Sequence, residues 1–147
     1  MKAIIYYSLS QRTKRELESR HEGDFYRLKG KIKIPKNYWL QMAYLGFFSS
    51  FSIPLNYGDL TIDFDKYDEI VLGSPVWAFT IVPFMKRYLR ENKFQNKKVS
   101  LLITHEGGPA KAMKHFKKRI HPSNEIISEE SLQLGSAYVE KYKKKKK

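Results

Sequence analysis

The sequence has no cysteine. That absence excludes a disulfide framework, a thiolate metal site and a cysteine nucleophile, and it suits a reducing compartment. Redox work by such a chain would need a cofactor. Long apolar runs are missing as well. The opening Met1-Lys2-Ala3-Ile4-Ile5-Tyr6-Tyr7 is too short for the apolar region of a secretory signal and no cleavage site follows it, so the expected location is cytoplasmic. Residues 37–58 hold no charge, yet Asn37, Gln41, three serines and Pro54 interrupt them. A spanning helix needs about 20 predominantly apolar residues, so no transmembrane segment is expected. His105, His115 and His121 lack the i, i+4 spacing of a helical zinc site, and His105-Glu106-Gly107-Gly108 lacks the second histidine of the metalloprotease pattern, so no metal is expected. No glycine-flanked serine elbow, dinucleotide fingerprint, internal repeat or linker is present.

Acid is the scarce charge. The 147 residues carry 28 Lys and Arg against 15 Asp and Glu, a net +13, and six of the lysines fall in residues 141–147. Without those six the body keeps 22 cations against 15 acids, or +7. A field of this sign attracts phosphates, acidic proteins and anionic lipid, and it bears on association rather than on fold. The Lys143 to Lys147 run is expected to be a solvated, frayed tail, with peripheral contact to an anionic surface as its alternative. No specific nucleic-acid recognition is expected. Hydrophobic residues make up 41%, and about 46% with glycine, the usual globular share. One domain over residues 1–140 and a lysine-rich disordered tail over 141–147 are expected.

The positive pattern is an alternation of strands and helices. Ala3-Ile4-Ile5-Tyr6-Tyr7 reads as a buried strand, residues 13–21 as a helix with Leu17 as its one strong apolar anchor, and residues 25–28 as a short strand. Residues 37–48 are expected to form a helix with Trp39, Met42, Ala43 and Gly46 on one face, packing into the core. A lid or docking surface is the alternative, because seven aromatics in 37–58 exceed what one helix face can hide. Ile70 to Leu72 is a strand core of the kind buried on both sides, which Gly73 and Pro75 are expected to stop. A helix from Pro83 presents Met85, Tyr88 and Leu89. Residues 99–103 form a strand, Pro109 opens a helix striped by Ala112, Met113, Phe116 and Ile120, and residues 125–132 supply the last strand, with a short helix closing the body. This order implies βαβ units and a mostly parallel sheet covered on both faces. Ligands of such sheets sit beyond the carboxyl ends of the strands. Residues 8–13, 74–80 and 104–108 all follow strands and should meet at that edge.

Each of these loops carries usable chemistry. Ser8, Ser10 and Thr13 offer hydroxyls beside a helix start whose free N–H groups and dipole attract a phosphate, although a plain N-cap at Ser10 looks the same. Trp77 stands just past a strand end, where its flat face could stack on a planar heteroaromatic, with a core position as the alternative. Gly107 and Gly108 allow close backbone approach or simply a turn.

Taken together, the loops resemble those of the flavodoxin family. The family's phosphate loop, Ser/Thr-x-Ser/Thr-Gly-x-Thr after the first strand, is matched here by Ser8-Leu9-Ser10-Gln11-Arg12-Thr13. Tyr67-Asp68-Glu69-Ile70-Val71-Leu72-Gly73-Ser74-Pro75-Val76-Trp77 is similar to the third strand and flavin loop, and Lys98 to Gly108 to the fourth strand and the loop at the flavin's pyrimidine edge. The resemblance covers most of residues 1–135. It implies an α/β, doubly wound, five-stranded parallel sheet of order 2-1-3-4-5 that binds flavin mononucleotide (FMN). The implied cofactor-binding residues are Ser8, Ser10, Gln11, Arg12 and Thr13, then Pro75, Val76, Trp77, Ala78, Phe79 and Thr80, then Thr104, His105, Glu106, Gly107 and Gly108. The implied function is electron carriage between redox partners. The alternatives are an NAD(P)H-dependent FMN reductase and a basic binding module that has lost the cofactor. Soluble carriers of the family are acidic and dock on basic reductases, so this basic chain is expected to meet an acidic partner. Gln11 departs from the family's glycine, and a positive φ there would cost about 1–2 kcal/mol.

Overall fold

The computed structural model of the chain describes residues 1–8, 11–29, 39, 40, 43, 60–77, 80–105 and 108–134. Five strands run parallel: β1 (Lys2–Tyr6), β2 (Asp24–Arg27), β3 (Glu69–Trp77), β5 (Lys98–His105) and β6 (Glu125–Gln133), joined by a two-residue β4 (Thr80–Ile81) that folds back on β3. The order β2-β1-β3-β5-β6 is the 2-1-3-4-5 order that the flavodoxin resemblance implies, with β4 as an additional antiparallel partner of β3. Among the described residues, the helices with defined bounds are α1 (Arg12–Arg20), α2 (Pro83–Glu91) and α3 (Ala112–Lys118), with a 3₁₀ turn at Phe64–Lys66 between β2 and β3. No helix among the described residues is long and apolar enough to cross a membrane.

The period-2 alternation of the central strands decides which helix covers which face. Ala3 and Ile5 of the first strand and Tyr7 just past it, with Ile70, Leu72, Val99, Leu101 and Ile103, face α2 and α3, whose Phe84, Met85, Tyr88, Ala112 and Phe116 are buried among them. Ile4, Tyr6, Val71 and Leu102 face the other way, and there Leu17 of α1 closes over them. Tyr7 stacks on Phe84 with centroids 4.7 Å apart, fastening α2 to the end of β1. At the sheet edge, Tyr67 donates its hydroxyl hydrogen to Asp24 Oδ2 at 2.6 Å and shares a 2.5 Å hydrogen bond with Tyr26, which ties β2 to the segment entering β3.

Three expectations are corrected. Gly73 and Pro75 do not stop the third strand, which continues to Trp77. The Gly73 carbonyl accepts from Tyr7 N–H at 3.1 Å, so by alternation the nitrogen of Pro75 also points toward β1, where that strand has ended. The helix expected to open at Pro109 starts instead at Ala112, because Ala110 adopts φ 47, incompatible with a right-handed helix. Trp39 and Ala43 were expected on an inward face; both are helical and exposed, Trp39 by 66%, so these positions do not pack into the core. Leu40 is likewise helical and exposed; the rest of residues 37–58, the short closing helix and the lysine tail lie outside the described residues.

Leu17 is the apolar anchor that holds α1 to the sheet, fully buried against β3. Leu17→Ala should therefore destabilise the protein by about 2–5 kcal/mol through lost burial and the cavity left over Gly73. Urea unfolding would check this, and a loss under 1 kcal/mol would mean α1 is held by something else.

Candidate functional site

β1, β3 and β5 are parallel neighbours, so their carboxyl ends and the loops that follow them share one edge of the sheet. At the end of β1 the chain turns sharply into α1. Ser8 is 1% exposed, and its Oγ is buried with no hydrogen-bond partner among the described residues. Its carbonyl accepts from Arg27 Nη2 at 2.8 Å. Gln11 caps α1 in the left-handed region, φ 65 and ψ 4, with no side-chain cap bond, while its carbonyl accepts from Arg15 N–H at 3.0 Å. No acidic residue occupies the first turn of α1. The first N–H groups of a helix have no intrahelical partner, so this turn presents donors and a positive dipole end that no side chain of Gln11 neutralises. Arg12 is the first helical residue, and Ser10 lies outside the described residues.

Thr13 connects this loop to the end of β5. It is 2% exposed, and its Oγ1 lies 2.9 Å from Thr104 Oγ1, one hydroxyl donating to the other. The start of α1 thus reaches across β3, which separates β1 from β5 in the sheet, to the end of β5. His105, the last residue of β5, is also buried, sharing a 3.0 Å hydrogen bond between Nε2 and Ser131 Oγ while its Nδ1 has no partner among the described residues. Gly108 takes φ 115 with open space where a Cβ would stand. Glu106 and Gly107 lie outside the described residues.

The middle loop is framed by β3 and β4. Pro75 and Val76 are half-buried, and Trp77 pairs with Thr80 across the turn. Ala78 and Phe79 lie outside the described residues. Ser74 holds the base of this hairpin: its Oγ donates to the Pro75 carbonyl at 2.9 Å and accepts from Val82 N–H at 3.1 Å. Thr80 is buried and shares a 2.8 Å hydrogen bond with His115 Nδ1, joining the hairpin to α3.

Arg27, His115 and Ser131 at this edge escaped sequence reasoning, and Ser74 was placed in the edge segment 74–80 without a role of its own. The first could have been found, since the last residue of a strand beside β1 must share its carboxyl edge. The others contribute through contacts that join separate elements and leave no local signal. The electrostatics are cationic. Burial pushes the Tyr7 hydroxyl up to about 12, with Arg27 pulling it back. Burial, with the charges of Lys86, Arg119, Lys118 and Lys111, holds the His115 imidazole below its ordinary range. Chemically the edge offers a buried hydroxyl and helix-start N–H groups to an anion, and beside them a hairpin and a glycine turn that could flank a flat ligand.

No protein-family model matches the chain, and no curated protein matches it. Solved structures do. A flavoprotein in complex with FMN from Lactobacillus acidophilus NCFM aligns with a TM-score of 0.69 at 20% identity, covering 97% of each chain. A Bacteroides uniformis ATCC 8492 protein assigned as a flavoprotein gives 0.73 at 21% identity, over 98% of this chain and 97% of that one. The fold is flavodoxin-like. At these identities the likeness concerns the backbone path, and flavodoxin-like sheets have their switch point between the first and third strands, here the edge where Ser8 and Gly73 lie.

The left-handed Gln11 is a strained position of this flavodoxin-like edge. Gln11→Gly should remove about 1–2 kcal/mol of backbone strain and return about 0.5–1 kcal/mol of chain entropy to the unfolded state. The expected net effect is a small rise in the urea midpoint. A fall would mean that the glutamine side chain makes a contact worth more than the strain.

Proposed function

We propose that the chain binds FMN at the carboxyl edge of its sheet and carries electrons between redox partner proteins. The observation that carries this reading is the buried Ser8 Oγ with no partner among the described residues. Leaving such a group unmet costs about 1–3 kcal/mol, a cost that a phosphate oxygen accepting from it would remove. The adjacent start of α1 adds uncapped N–H groups and the favourable end of the helix dipole. Gln11 keeps the left-handed geometry of a glycine position in spite of its side chain, which supports a loop retained for binding. The Lactobacillus acidophilus neighbour is a complex with FMN, which supports this choice of ligand.

In this reading Ser8, Ser10, Gln11, Arg12 and Thr13 hold the terminal phosphate. The Thr13–Thr104 hydrogen bond keeps that loop in register with the third loop. Pro75, Val76, Trp77, Ala78, Phe79 and Thr80 flank one side of the ring system, with the indole of Trp77 offered for stacking, and Thr104, His105, Glu106, Gly107 and Gly108 border its polar edge. FMN when bound supplies the electron chemistry, while the chain holds, orients and shields it. The carrier is proposed to act in the cytoplasm, in keeping with a chain that has no cysteine.

Purified protein should be yellow and release FMN, rather than FAD, on denaturation. A colourless chain that takes up no flavin on reconstitution would overturn the reading. Steady consumption of NADPH by the flavin-loaded protein would replace the carrier with a reductase.

Removing two hydroxyls tests the phosphate loop directly. Ser8→Ala combined with Thr13→Val should weaken FMN by about tenfold or more, the scale of losing hydrogen bonds to a charged group, and leave riboflavin nearly unaffected. Titration by flavin fluorescence reads both ligands. Equal losses would mean that the loop does not touch phosphate.

A further inference from the structure

The positive charge of the folded body is concentrated on two helices. Residues 83–91 of α2 carry Lys86, Arg87 and Arg90 against Glu91 alone, and residues 111–119, spanning α3, carry Lys111, Lys114, Lys117, Lys118 and Arg119 with no acid. That is eight cations against one carboxylate, a net +7. The chain outside residues 141–147 also totals +7, with 22 cations and 15 acids, so everything else in it sums to zero. The two helices lie on the same face of the sheet, since the apolar stripes of both are buried in one cluster. Their outer sides therefore form one cationic surface.

This surface adjoins the proposed flavin edge. Lys86 stands in the first turn of α2, which follows β4 directly, and Lys111 is the cap of α3. His115 reaches across to the hairpin at Thr80 with its 2.8 Å hydrogen bond. Arg119 is half-buried and donates from Nη1 to the His115 carbonyl at 2.9 Å. Burial and the nearby guanidinium of Arg119 lower the Lys86 ammonium to about 8. Like charges held together in this way cost stability, and an opposing negative surface would offset that cost.

Resting on the flavin reading, we propose that the α2–α3 face is the docking surface for an acidic electron-carrier protein. Charge complementarity would steer such a partner to the side of the molecule where the flavin edge lies, so that docking and electron exchange share one approach. Two carboxylates favour a protein over a nucleic acid. Glu91 accepts from Arg87 at 2.7 Å, and Glu129 of β6 pairs with Lys117 at 3.1 Å. Both would repel a continuous phosphodiester line, whereas a protein surface can set a neutral or basic group opposite each.

The test uses the full chain loaded with FMN and, as probe, an acidic [2Fe–2S] ferredoxin immobilised on a sensor surface. Lys111→Glu, Lys114→Glu and Lys118→Glu together reverse three exposed charges of the α3 side. Lys66→Glu, Lys97→Glu and Lys98→Glu make the same charge change near the amino ends of β3 and β5. At about 0.05 M salt the first triple variant should bind the ferredoxin about tenfold or more weakly, and the second within about threefold of the parent. Equal losses in both, no binding by the parent, or tighter α3-dependent binding to a 20-base-pair DNA duplex or to phosphatidylserine vesicles would overturn the proposal. FMN titration of every variant separates the two readings: ferredoxin binding that keeps its α3 dependence in a chain that takes no FMN leaves the docking surface standing and removes the flavin. If the Glu variant fails to fold, the corresponding Lys→Gln triple should show a smaller loss in the same direction, and no loss there would also overturn the proposal.

Discussion

The arrangement of the candidate site depends on how closely α1 lies on the sheet, and one missing side chain permits that approach. A Cβ at Gly73 would stand 2.7 Å from Leu17 Cδ1, closer than carbon atoms pack. Because position 73 has no side chain, the fully buried Leu17 can settle onto β3 and bring the first turn of α1 down over the strand ends. From there Thr13 reaches Thr104 on β5. Any side chain at 73 would have to displace Leu17 from a core packed at near-crystalline density. The same glycine contributes the carbonyl that takes the N–H of Tyr7, the residue just past β1, so it shapes both the strand end and the helix above it.

Around that contact the molecule keeps several features that work against its own stability. Gln11 and Ala110 hold left-handed backbone conformations that side chains disfavour. Ser8 buries a hydroxyl oxygen with no partner among the described residues, and His105 does the same with Nδ1. All four lie at or beside the carboxyl edge. The opposite, amino edge pairs its charges instead: the N-terminus lies 3.3 Å from Asp68 and Lys2 lies 3.0 Å from Glu69. The amino edge has such features too, since Asn96 holds φ 58 and His21 Nδ1 is buried with no partner among the described residues, but asparagine tolerates the left-handed region better than Gln11 and Ala110 do.

Charge follows a related logic on a larger scale. α1 offsets its cations with Glu16 and Glu18, which pair with Arg20 and Lys14, and Arg20 also reaches Glu130 across to β6. α2 and α3 have one carboxylate between them. Such segregation does nothing for the fold, since apolar burial positions both helices. Its physical effect is on what approaches the molecule, and from which side.

Much of the architecture was legible because it rests on short-range patterns. The apolar run at residues 3–7 announced a buried strand, that at 70–72 one buried on both faces, the mostly apolar 99–103 another strand, and the stripe Ala112, Met113, Phe116, Ile120 a helix. Strand–helix alternation then implies a parallel sheet with its loops at one edge. The extent of the third strand was not legible. Pro75 and Gly73 read locally as breakers, and only the ending of β1 beside them shows why the strand can continue. The conditional cost at Gln11 was visible as a mismatch with glycine, but the positive φ that realises it is a tertiary fact. Arg27, Ser74 and His115 act through a carbonyl, a hairpin base and a cross-helix hydrogen bond, each to a residue that sequence separation or turn geometry conceals. The net +7 of the body could be counted from composition. Its confinement to one face could not, because only packing decides which side chains share a surface. By itself, then, the sequence determined the elements, their order and the edge where chemistry belongs, since these follow from periodicity and chain connectivity. Tertiary structure decided which side chains meet across that edge, since contacts between distant segments depend on the packing of the whole sheet.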